Sequence, residues 1–268
     1  MISTAAKKGW VILRFVWAYW RANGQGAMEF RASFLAQAGA MLLNNSVWIV
    51  FWWLYFSRFP VVKGWSMEDI LWLWAIAAGA VGWVSAFFGN VFRLSHMIAN
   101  GHLDLYLTMP KPVLLHILIS RMSFSAWGDI LFAWILFFVI GEGWLDLVKF
   151  LAAQLLGGII ILGVMILVQC LAFIFGNAEG IAQQVQIALI TFTTYPIDIF
   201  SGVTRILLFT VLPAGLISSM PVTFIRDFSW PIALWAADVA LLFLFTSVWL
   251  FRRGLRRYES GNLIGLRM

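Results

Sequence analysis

Five stretches of this chain run for about 20 residues or more with almost no charge: 33–57, 70–92, 122–140, 150–175 and 231–251. About 20 consecutive apolar residues span a bilayer's hydrocarbon core as a helix, whereas strands of a membrane barrel alternate over about 10. Long unbroken runs therefore predict an all-α polytopic membrane protein. Composition agrees: 62% of the 268 residues are hydrophobic and only 11% charged, against about a quarter charged in a soluble domain. Such a chain cannot coat a water-facing surface of its size, which excludes a soluble enzyme. Disordered chains are poor in apolar residues, which excludes disorder. The lone Cys170 excludes an intrachain disulfide. Arg14 and Arg21 interrupt the first apolar stretch and no small-residue cleavage site follows, so no cleavable leader is expected.

The stretch from Ile181 to Pro221 is long enough for two crossings. It is punctuated by Tyr195-Pro196, Asp198, Ser201-Gly202, Arg205, Pro213 and Gly215. Basic residues choose between one crossing and two, because lysine and arginine concentrate on the cytoplasmic side. Lys7, Lys8, Arg14, Arg21 and Arg31 lie before the first span, and Arg252, Arg253, Arg256, Arg257 and Arg267 follow the last. Both ends are then cytoplasmic, the number of spans is even, and six is favoured, the fifth being 181–197. With Arg93, Lys111 and Arg121 also inside, 13 of the 18 basic residues share one side. The outer Arg58, Lys63, Lys149, Arg205 and Arg226 are offset by six acidic residues there. Residues 198–230 become a re-entrant or extracellular helical pair, the alternative being a proline-kinked helix with an apolar external loop. In this setting the net charge of +6 marks orientation, and no nucleic-acid partner is expected.

Two cytoplasmic segments stand out within a single transmembrane domain, 1–268. In 1–32, Lys7, Arg14 and Arg21 recur every seven residues among aromatics, the pattern of a helix lying in the membrane interface. In 93–121, a helix could run on from the second span through Ile98 until Asn100-Gly101 stops it. Leu103, Leu105 and Leu107 then alternate with Asp104 and Tyr106, before Pro110 and Pro112 forbid a regular helix. That segment is too apolar for an idle loop and suits docking on another protein. His96, His102 and Asp104 match no metal-ligand spacing and read as polar loop residues.

The chain has no Gly-Lys dipeptide and hence no phosphate loop, no H-E-x-x-H and no G-x-S-x-G. Asp129 and Asp238 are the acidic residues well inside spans, Asp129 near the middle of the third and Asp238 in the outer third of the sixth. A carboxylate at that depth faces a bundle interior, a partner or water. Each, like Gln169, reads first as a packing group and second as a path residue; the second reading would suit a secondary transporter or channel. A membrane-embedded transferase lacks convergent groups at one depth. Ala78, Gly82, Ala86 and Asn90, four residues apart, give span two a smooth face for close helix contact.

Three stretches resemble the permease subunits of type-2 ABC exporters: Ile98-Ala-Asn-Gly-His-Leu-Asp-Leu-Tyr-Leu-Thr-Met-Pro110; Tyr195-Pro-Ile-Asp-Ile-Phe200 with Phe209–Leu216 and Met220-Pro221; and Gly254-Leu-Arg-Arg-Tyr-Glu-Ser-Gly-Asn262. His102 departs from the acidic or other polar residue such permeases often carry. The resemblance implies two ATP-binding subunits, a second identical or similar permease chain, and location in the plasma or inner membrane. ATP and Mg would be held by the partner, with no catalytic residue, cofactor or metal in this chain. Asn100, Gly101, His102, Leu103, Asp104, Tyr106 and Leu107 would form a coupling helix seated on the ATPase. Lys7, Arg14 and Arg21 would belong to an elbow helix. Tyr195, Pro196, Phe200, Pro213 and Pro221 would belong to an external gate.

Overall fold

The computed structural model describes residues 2–258, the first seven of them by backbone alone. Among these residues the chain is helical throughout, with only an isolated pairing of Val62 and Trp65 outside helices and turns. Four long elements frame the bundle: α1 (Ile2–Glu29), α2 (Arg31–Arg58), α3 (Met67–Phe87) and, after three short helices, α7 (Ala126–Ile140) packed on α3. The short helices are α4 (Leu94–Ala99), α5 (Leu103–Leu107) and α6 (Val113–Ile119). Then come α8 (Trp144–Gln169), a single turn α9 (Ala172–Phe175), α10 (Glu179–Thr193), α11 (Gly202–Thr210), α12 (Met220–Arg226) and α13 (Trp230–Leu255).

Four helices are long and apolar enough to cross a membrane: α2, α3, α8 continued by α9, and α13. A fifth candidate is the pair α11 and Gly215–Arg226, bent by 73°. α7 and α10 have 15 residues each, about 22 Å of helix.

Side-chain pairs give the directions. Gly82 meets Ile130, Trp74 meets Phe132 and Trp72 meets Phe137, so α3 and α7 are antiparallel. Trp72 meets Phe150, Gly79 meets Gln154 and Val84 meets Gly158, so α3 and α8 are parallel. Gly163 meets Phe243 and Phe173 meets Phe251, so α13 follows α8. Phe34 meets Phe124 and Asn45 meets Asp129, so α2 follows α7. α10 starts where Glu179 meets His96 and ends where Tyr195 meets Trp52, so it runs with α2. In chain order α2, α3, α7, α8, α10 and α13 thus alternate in direction, and α2 begins at the end of the bundle where α13 finishes.

The core centres on α3, buried over most of its length, because small residues let its neighbours approach closely. A Cβ at Gly82 would lie 2.9 Å from Ile130 Cγ1, and Ala78, Ala86 and Asn90 are buried with it, as their four-residue spacing predicts. α8 offers Gly157, Gly158 and Gly163 to its neighbours in the same way. α2 and α13 are peripheral, mostly exposed along apolar faces.

α3 does not run on to Ile98. It ends at Phe87 and a 3₁₀ turn spans Gly89–Arg93 before α4. The reason is the crossing strand of chain at 121–123: Gly89 N–H donates to Arg121 O at 3.1 Å and Ser123 N–H to Ser85 O at 3.0 Å. The backbone there is too close for a Cβ, which would lie 2.9 Å from Arg121 O. Similarly, α7 begins only at Ala126, not near 122. Asp129 therefore sits in its first turn rather than halfway along, where the helix N-terminus favours a carboxylate.

Candidate functional site

At the end of the bundle where α3, α8 and α13 finish, α4, α5 and α6 form a cap. Asn100 and Gly101 break α4 from α5, Gly101 at φ 75°, a left-handed turn that suits glycine. α5 is a helix, which the resemblance implies and the alternating leucines do not suggest, and this redistributes its residues. Leu103 is fully buried, and Tyr106, one turn on, faces inward with its hydroxyl 3.0 Å from Ser120 Oγ. Leu105, on the opposite side, is 62% exposed, Leu107 44%, and Met109 is exposed beyond them. Leu103 and Tyr106 are thus foundations of the segment. Leu105, which belongs to the alternating run but not to the coupling-helix residues that the resemblance implies, is its most exposed apolar group. Asn100 and His102 are exposed beside it; Asn100 Nδ2 donates to His96 O at 2.8 Å, and His96 pairs with Glu179 at 3.2 Å.

Two of the motifs meet here. Tyr258 packs edge-on to Phe173, and burial together with the neighbouring Asp104 carboxylate pushes its hydroxyl up to about 12. The G-x-L-D stretch and the closing G-L-x-x-Y stretch therefore touch across more than 150 residues. Gly254 is required beside them, since a Cβ would run into the Phe173 ring. Glu259 to Asn262 and Arg267 lie outside the described residues.

α1 lies against this cap. Phe15, Tyr19, Trp20 and Asn23 face inward at helical spacing, and Trp10, Leu13 and Trp17 remain exposed, as do Arg14 and Arg21. Lys7 belongs to the stretch of α1 described by backbone alone. Tyr19 Oη lies 2.5 Å from His116 Nε2 on α6, Trp20 Nε1 donates to Phe87 O at 3.1 Å, and Asn23 Nδ2 donates to Ile119 O at 3.1 Å. His116 is buried and sandwiched by the rings of Phe15, Tyr19 and Tyr106. Burial, then the charge of Lys111, hold its imidazole below the usual histidine range. Sequence reasoning missed His116, whose lone position among apolar residues carries no motif.

The intramembrane polar residues separate. Asp129 accepts from Asn45 Nδ2 at 2.7 Å, a buried bond from α2 to α7. Gln169 Oε1 accepts from the Ser95 N–H at 2.7 Å, satisfying a donor in the first turn of α4. Each of these bonds joins two separate helices of the bundle. Asp238 is exposed on α13 and makes no hydrogen bond or ion pair among the described residues. Between α3 and α8 an apolar cavity of about 400 Å³ reaches Trp20, and its lining includes Trp83 Nε1 bonded to Gln154 Oε1 at 2.9 Å.

At the opposite end, residues 195–226 form the bent pair. Pro196, Pro213 and Pro221 are buried, and Tyr195 and Phe200 stack edge-on to Trp52 and Phe192. A π-helical turn at Gly215–Ser219 precedes Pro221, widening the backbone where a proline ring would strike the carbonyl four residues back. Ser218 Oγ donates to Thr193 O, and Ser219 Oγ accepts from Ile197 N–H at 3.1 Å, so the turn also caps the end of α10. Three of the five cations at this end are paired with carboxylates: Lys149 with Asp146, Arg205 with Asp198 and Arg226 with Asp69.

The family described as ABC-2 family transporter protein matches residues 42–262, from within α2 to past the final tyrosine. No curated protein and no solved structure matches the chain. The match spans most of the sequence and takes in the cap, the bent pair and all or part of each helix long and apolar enough to cross a bilayer, so this multi-pass membrane chain belongs to the ABC-2 transporter family as a transport permease.

Proposed function

We propose that the chain is the membrane half of an ATP-driven exporter, crossing the bilayer six times with both ends cytoplasmic. Two ATP-binding subunits would hold the ATP and Mg, and a second identical or similar permease would complete the path. The alternating directions of α2, α3, α7, α8, α10 and α13 support six crossings. The short α7 and α10 are completed by the turns that flank them. The end that carries Arg93, Lys111, Arg121 and the basic tail is then cytoplasmic, in the plasma or inner membrane.

The observation that carries the coupling role is the exposed Leu105, Leu107 and Met109 ridge, set on a short helix whose other face is anchored by Leu103 and Tyr106. An apolar ridge at a water-facing end marks a protein contact. Its foundation transmits force, because Tyr106 shares Ser120 and His116 with α6, and α6 carries α1. In this reading Asn100 to Leu107 is the coupling helix and α1 the elbow, with Trp10, Leu13 and Trp17 toward lipid and Arg14 and Arg21 toward headgroups. The bent pair is the external gate.

The test is purification of the tagged chain from its native membranes, with a co-purifying chain that carries a phosphate loop taken as the ATP-binding subunit. Leu105→Glu and Leu107→Glu should abolish recovery of that subunit and its vanadate-sensitive ATPase, whereas Val203→Glu at the opposite end should not. Retention of both in the Leu105 and Leu107 variants would overturn the assignment.

A further inference from the structure

The turn between α2 and α3 holds both halves of the bent pair, and one side chain, Trp65, touches the ties to both. Val62 and Trp65 exchange backbone hydrogen bonds of 3.0 Å, and Lys63 and Gly64 between them adopt φ of 51° and 82°, a two-residue hairpin turn. That turn fixes Trp65, which is 3% exposed. Trp65 Nε1 donates to Asp198 Oδ2 at 2.9 Å, and Asp198 Oδ1 accepts from Arg205 Nη2 on α11 at 2.8 Å. Lys63 Nζ adds donations to Asp198 O at 3.1 Å and Ile199 O at 3.3 Å. Over the face of the indole, the Arg226 guanidinium lies 5.2 Å from the ring centroid. Arg226 ends α12, pairs with Asp69 and donates to Gly64 O at 3.4 Å. Asp69 itself closes the capping box that starts α3.

The two halves are not held equally. The Gly215–Arg226 half is mostly buried, whereas Leu208 is the one buried residue of α11. The Asp198–Arg205 pair is therefore the main polar tie on the exposed half.

We propose that Trp65 and Asp198 are positioning residues of the transport cycle, forming a clasp that keeps the bent pair closed over the bundle until the α2–α3 turn moves. The proposal rests on the bent pair being the external gate. Closure is coupled to α2 and α3 because the turn joins those two helices directly. When they shift, the shared indole lets go of α11 through Asp198 and of α12 through Arg226 together.

The single native cysteine, buried Cys170, makes accessibility a clean readout. In a Cys170→Ala background, Ser219→Cys is placed in the π-helical turn, where Ser219 is 2% exposed, and Val203→Cys on the exposed face of α11. Intact cells are treated with a membrane-impermeant maleimide, and labelling rates are measured on chains that elute as folded on gel filtration. Val203→Cys should label in every background. Ser219→Cys should label slowly with the clasp intact and at least tenfold faster in Asp198→Asn and in Trp65→Phe, which lacks the indole N–H. The double variant should be no faster than the singles, and Arg58→Gln, outside the clasp, should leave the rate unchanged. Labelled Val203→Cys with an unaltered Ser219→Cys rate in both variants would overturn the clasp alone. A silent Val203→Cys would overturn the external placement of the pair, and the proposal with it.

Discussion

Cutting the hydrogen bond between Asn45 and Asp129 should loosen α2. Asn45, Trp52 and Phe56 are the buried residues of this 28-residue helix, so the 2.7 Å bond to Asp129 on α7 is a large share of its specific attachment. Hydrogen bonds between membrane helices are worth about 0.6 kcal/mol on average and up to about 1.7. Leaving one buried partner unsatisfied costs about 1–3 kcal/mol. Asn45→Ala strands the Asp129 carboxyl at a buried site, which places the loss at about 1–2 kcal/mol. Asp129→Asn keeps an amide to accept from Asn45 and should cost about 0.5 kcal/mol or less on the same scale. Replacing both by leucine removes donor and acceptor together and should be milder than Asn45→Ala. The assay is reversible unfolding in bicelles by steric trapping, with transport measured on the same variants. A neutral Asn45→Ala would refute the packing argument. So would Asp129→Asn that is as stable as the native chain but does not transport, because the carboxylate would then be acting in the substrate path.

Other consequences are equally direct. Gly128→Ala would push a methyl into Ala38 O and to 2.9 Å from Met41 Cβ, costing about 1–3 kcal/mol by overpacking. Gly158→Ala, whose nearest neighbour would be 3.5 Å away, should be neutral when the thermal melts of the two variants are compared. The lowered His116 value means that the unfolded state binds its proton first as pH falls. The docking of α1 is then fully supported above about pH 6.5 and weakens as the pH drops through and below it. Hydrogen exchange in residues 9–24 should rise between pH 7.5 and 5.5, and His116→Phe should remove that dependence. Burial and the Asp104 carboxylate push the Tyr258 hydroxyl up to about 12, and Asp104→Asn should lower that value in a spectrophotometric titration of the tail tyrosine.

The helical class and the long apolar elements were legible in the sequence because a run of 20 apolar residues admits few other structures in a bilayer. The smooth face of α3 was legible for a similar reason: Ala78, Gly82 and Ala86 repeat at helical spacing, and small residues serve close approach. Where backbone crossings decide, the pattern misleads. Asp129 looks central in an apolar run, but residues 121–123 bond to Gly89 and Ser85, and the helix starts after them. The alternating leucines at 103, 105 and 107 imply a shared face, whereas a helical turn separates buried Leu103 from exposed Leu105. Balanced charges at the outer end were visible as composition. Their pairing was not, since Trp65 and Asp198 are 133 residues apart and a tryptophan in an aromatic-rich chain gives no signal.

The central claim, that this permease is driven through its α5 ridge, is tested most directly by a photo-crosslinking amino acid at Leu105 in native membranes. The account predicts a single protein adduct, identified by mass as a chain with a phosphate loop, that disappears when Leu107→Glu is added. An adduct with lipid alone, or the same ATPase captured from Val203 at the opposite end, would contradict it.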